Sequence, residues 1–118
     1  VKRGEIWTAS GGKDYASKPR PVVIVQDDRF DATDSMTVCA FTTDQTDAPL
    51  LRLVVIPSAE NGLRASCSLM VDKITTVPKS KIGHLIGRID DADLARLNLA
   101  LLVYLGLATA SKTAIKGS

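Results

Sequence analysis

Aromatic side chains make up only 4% of this 118-residue chain, histidine occurs once and cysteine twice. Each scarcity removes a class of chemistry. With so few rings there is no stacking platform of the kind many single-strand nucleic-acid binders use. With His84 as the single histidine, neither a histidine zinc site nor a nucleophile activated by a histidine base is readily built. Cys39 and Cys67 lie far apart inside apolar or small-residue runs, without a ligand-spaced neighbour, and read as two core thiols. Charge of one sign is scarce as well: 15 basic against 13 acidic side chains leave a net +2, so a nucleic acid would have to be gripped locally rather than by a general field.

Long hydrophobic runs are missing too. The longest apolar-rich stretch, Leu94 to Ala110, is interrupted by Arg96, Asn98 and Gly106 and falls short of the roughly 20 residues a bilayer span needs. No membrane partner is expected. Lys2, Arg3, Gly4 and Glu5 run directly into Ile6 and Trp7, with no secretory-type apolar stretch behind them, so the expected compartment is the cytoplasm. There is no glycine-rich phosphate loop followed by Lys-Ser or Lys-Thr, no His-Glu-x-x-His and no Cys-x-x-Cys.

What is present is 45% apolar residues arranged as strand-length runs between turn clusters, the pattern of one small β-rich domain over residues 1–108 with a frayed tail at 109–118. Glu5 to Ala9 reads as a first strand. Pro21 to Gln26 reads as a second, whose four consecutive β-branched residues suit burial on both faces. Met36 to Thr42, Leu50 to Ile56, Ser66 to Thr76 and Leu85 to Ile89 follow, with a single helical turn at Pro78 to Lys81.

Asp90 or Asp91 then caps a C-terminal helix with an acidic first turn, and Gly106 is its natural stop. Leu94, Leu97, Leu101 and Leu105 share one side of that helix, while Leu99, Leu102 and Val103 cover another. Either the whole helix sinks against the sheet or its second face meets a second subunit.

Arginine carries the remaining chemistry. Arg20 stands between Pro19 and Pro21, two rings that stiffen the backbone where a basic loop enters a buried strand. A guanidinium stays protonated at neutral pH and offers a planar fork of donors to phosphate, so the implied substrate is a phosphodiester. Thr42 and Thr43 close the third run, where a hydroxyl can point from a rim and donate to the same phosphate. Lys13 and Lys18 in the first loop, Arg52, Lys73 and Arg88 would line one groove if the sheet curls.

Five fragments in this order resemble the MazF/PemK family of toxins: Lys2-Arg3-Gly4-Glu5-Ile6-Trp7; Arg20-Pro21-Val22-Val23-Ile24-Val25; Cys39-Ala40-Phe41-Thr42-Thr43; Val71-Asp72-Lys73-Ile74-Thr75-Thr76-Val77; and Ile82-Gly83 with Leu85-Ile86-Gly87-Arg88. The likeness spans about positions 2 to 107. It implies a small SH3-like β-barrel with a C-terminal helix, a homodimer, and an endoribonuclease that acts on single-stranded RNA without metal or cofactor. It also implies an antitoxin whose disordered acidic segment covers the RNA groove, with DNA contacted only through that antitoxin. Arg20 and Thr42 fall on the family's catalytic pair, and Lys73 stands where the family usually carries a glutamine, which shifts recognition toward phosphate. Two competing expectations belong to the same fold: a CcdB-like gyrase poison that works through its helix, and a non-catalytic barrel that holds nucleic acid or peptide.

Overall fold

The computed structural model describes residues 1–10, 18–44 and 47–109. Lys13 and the tail beyond Thr109 lie outside them. Seven strands, β1 (Glu5–Ala9), β2 (Arg20–Ile24), β3 (Ser35–Thr42), β4 (Arg52–Val55), β5 (Cys67–Met70), β6 (Thr75–Pro78) and β7 (Ile82–Arg88), precede one helix, α1 (Asp91–Tyr104). All the pairings are antiparallel, in the order β4-β5-β3-β2-β1-β7 with β6 also on β3. Among the described residues, backbone pairing does not close this sheet into a barrel.

Strand β3 organises the whole. Its first half, Ser35 to Val38, pairs with β6, and its end, Phe41 and Thr42, pairs with β5, so one eight-residue strand belongs to two sheets. Side chains alternate across a strand, and here both faces are buried. Val23, Cys39 and Phe41 join Ile6, Leu69 and Leu97 in the larger core, while Val22, Ile24, Met36, Val38 and Ala40 pack with Ala9 and Val77 in a smaller one on the opposite face. The β-branched run is buried on two sides because each side has its own core. The Cys39 thiol donates to the Met70 carbonyl at 3.4 Å, and burial pushes its pKa up to about 12, so it stays a neutral packing group.

The run expected as one strand at 66–76 is divided. A 3-10 turn at Val71–Lys73 separates β5 from β6, because the chain must move from the end of β3 to its beginning. The helix follows expectation at both ends. The Asp90 carboxylate accepts from Asp93 N at 2.7 Å, and Gly106 takes the left-handed φ of 76° while Leu107 N donates to Leu102 O. Leu97, Ala100 and Leu101 are buried and Leu94 packs beside them, but Leu105, grouped by spacing with the core side, is 54% exposed. It is the C-cap residue, one position beyond the last helical residue Tyr104 and just before the Gly106 reversal.

Candidate active site

The site lies where β2 begins and β3 ends. Val22, Val23 and Ile24 pair with Ala40, Cys39 and Val38, and this antiparallel register brings the start of β2, at Arg20, to the same end of the sheet as the close of β3, at Thr42. Both residues line a cavity of about 730 Å³ with Thr8, Thr43, Leu63, Arg64 and Met70. Thr42 is half-buried, whereas Arg20, Thr43 and Arg64 are exposed at the opening.

The Thr42 hydroxyl oxygen accepts from the Asp44 backbone N–H at 3.1 Å. That bond uses a lone pair and holds the side chain in one orientation, leaving the hydroxyl proton to donate to a ligand oxygen. Cys67 sits beneath, and desolvation raises its pKa above the ordinary thiol value, which makes it a wall of the cavity and not a thiolate nucleophile.

The far wall is the loop between β4 and β5. Buried Asn61 holds it: its Oδ1 accepts from Ser58 N at 2.9 Å and Leu63 N at 3.0 Å, and its Nδ2 donates to Ile56 O at 2.8 Å. Arg88 N donates to Glu60 O at 3.0 Å, which ties the loop to β7. Gly87 permits this approach, since a Cβ there would collide with the backbone of Glu60 and Asn61. Arg64 follows two residues after Gly62. In the sequence Glu60-Asn61-Gly62 reads only as a turn, and the one signal for Arg64 is a cation placed directly behind it.

The other cations expected in one groove are not brought together. Arg52 opens β4 opposite Met70, and its guanidinium donates to the Leu51 carbonyl at 3.0 Å and forms an ion pair with Asp72. Its side chain is 14% exposed, and it does not line the cavity. The reason is the strand order: β4 lies beyond β5, away from β2. Lys73 is exposed on the 3-10 turn after β5, also outside the cavity lining, and Arg88 is shared between Glu60 and Asp91 at 3.8 and 3.6 Å. Lys18 is exposed two residues before Arg20. Among the described residues no three His, Cys, Asp or Glu side chains are grouped to hold a metal ion, and no helix is long and apolar enough to cross a membrane.

Residues 2–105 match the family described as the PemK-like, MazF-like toxin of type II toxin-antitoxin systems. The chain belongs to the PemK/MazF family. A PemK/MazF relative from Mycolicibacterium smegmatis, named as a probable endoribonuclease MazF, is 54% identical over 108 residues, covering 92% of this chain and 99% of that protein. Endoribonuclease MazF9 of Mycobacterium tuberculosis is 30% identical over 118 residues, covering 91% and 98%. Among solved structures, a mycobacterial endoribonuclease in complex with its cognate antitoxin superposes with a TM-score of 0.74 at 23% identity, covering 93% of this chain and 99% of that one. The last comparison establishes the PemK/MazF fold: an antiparallel sheet with a C-terminal helix.

Proposed function

We propose that this PemK/MazF chain is a cytoplasmic endoribonuclease toxin that cleaves single-stranded RNA, with Arg20 and Thr42 as its catalytic pair. The observation that carries the reading is that Arg20, at the start of β2, and Thr42, at the end of the neighbouring β3, line one cavity. The ribose 2′-oxygen attacks the adjacent phosphorus and gives up its proton. The bond from phosphorus to the 5′-oxygen breaks, and that oxygen takes a proton. The products are a 2′,3′-cyclic phosphate and a 5′-hydroxyl. Arg20 stabilises the charge that builds on the phosphoryl oxygens, and Thr42 orients the phosphate by donating its hydroxyl proton. Thr43 and Lys18 flank the pair on the RNA path. No metal takes part in this scheme.

Purified protein incubated in EDTA with mixed-sequence single-stranded RNA is expected to yield fragments bearing cyclic-phosphate and 5′-hydroxyl ends. Intact RNA would overturn the reading, and inhibition of gyrase in the same preparation would favour the CcdB-like alternative.

The helix supports a homodimer as the working form. Leu99 and Leu102 are 59% and 42% exposed, and an apolar groove of about 820 Å³ between α1 and the residues before β4 is lined by Leu50, Leu51, Leu53, Leu99, Val103 and Tyr104. A second copy covers this face. Sedimentation is expected to give twice the chain's mass, and Leu99→Asp to return it to the monomer value. The cognate antitoxin is expected to place an acidic extended segment across the cavity, competing with RNA for Arg20.

A further inference from the structure

The sequence contains seven arginines, all of them within the described residues. Five are engaged within the chain: Arg3 with the Val25 carbonyl, Arg29 with Asp27, Arg52 with Asp72, Arg88 with Glu60 and Asp91, and Arg96 with Asp93. The remaining two, Arg20 and Arg64, make no hydrogen bond or ion pair with the described residues, and both line the same cavity.

We infer that Arg64 is a second phosphate-gripping residue, which holds the RNA backbone beside the scissile phosphate and sets its register against Arg20; this rests on the ribonuclease reading above. Thr42 pairs with Ser68 of β5 on one side, and on the other side β3 pairs with β2, the strand that Arg20 opens. Arg64 lies just before β5, so the two guanidiniums flank the threonine end of β3 from opposite sides. β2 and β5 themselves stand two strand spacings, about 10 Å, apart across β3. That span suits two different phosphates of one extended strand better than both forks on a single phosphate.

The loop beneath Arg64 is held by its own hydrogen bonds. The Asn61 carboxamide closes it with three hydrogen bonds, and Gly62 N donates to Ser58 O at 3.0 Å. A side chain carried on such a support loses little backbone entropy on binding, and its five donors are unspent. The role is positioning: Arg64 binds the strand, while Arg20 meets the phosphate that reacts.

The test uses the full chain and a single-stranded RNA of mixed sequence carrying 2′-O-methyl groups throughout, which binds but has no 2′-hydroxyl to attack. Arg64→Ala is expected to weaken binding about tenfold. It should also reduce the slope of log K against log salt by about 0.7, the value for one lost phosphate contact on a single strand. Arg64→Lys should recover the slope. On cleavable RNA the alanine variant should show its loss mainly in KM. Because Arg64 is exposed and bonded to nothing described, neither substitution disturbs the fold. If wild type cleaves RNA while Arg64→Ala matches it in affinity and salt slope, this inference falls and the ribonuclease reading stands. If wild type leaves RNA intact, both fall together.

Discussion

Arg20 and Arg52 each open a strand, β2 and β4, and each is a cation at the entrance to an apolar run. Their surroundings differ completely. Arg52 is largely buried with its fork turned onto Asp72 and the Leu51 carbonyl, whereas Arg20 is exposed with no internal partner among the described residues. A guanidinium whose donors are already bonded contributes to folding, and one whose donors are empty is available to a phosphate. Counting basic residues in the sequence cannot separate the two cases; their hydrogen-bond partners can.

The largest effect is expected at Arg20. Arg20→Ala should lower the cleavage rate by about a hundredfold or more, the scale for losing one donor to a developing oxyanion, while the urea midpoint stays at the wild-type value. Arg52→Ala should do the reverse. It leaves the Asp72 carboxylate half-buried without its partner and is expected to cost about 1–3 kcal/mol of stability by urea denaturation, with cleavage by the folded protein kept within about twofold. Loss of cleavage in a folded Arg52→Ala protein would return that residue to the RNA groove and erase the distinction. The smallest effect belongs to Thr42: Thr42→Ala should slow cleavage about tenfold and Thr42→Ser should restore most of it, measured under single-turnover conditions.

Much of the fold is legible in residue patterns. Glu5 to Ala9 forms the expected strand, the helix begins at its aspartate cap and stops just before Gly106, and three of the four β-branched residues after Pro21 sit in β2 with a core on each face, the strand ending at Ile24 before Val25. The division of 66–76 was not legible, because its cause is the register of β5 and β6 on two halves of β3, a tertiary fact with no local signal. The same holds for the site. Pro19 and Pro21 mark Arg20 in the sequence, but the Asp72 that occupies Arg52 lies twenty residues away from it, and the support that carries Arg64 depends on a hydrogen-bonded asparagine and a glycine from another strand. Leu105 departs from its expected side for a related reason: helical spacing assigns a face to a residue without saying where the helix ends, and Leu105 is already the C-cap.

The close approach at Gly87 has a genetic consequence. Any side chain there would push the β4–β5 loop outward and carry the cleft's far wall with it, although Gly87 itself does not line the cleft. Among cells selected to survive expression of this toxin, alleles at that glycine should therefore appear beside those at the arginines, disarming the enzyme from behind.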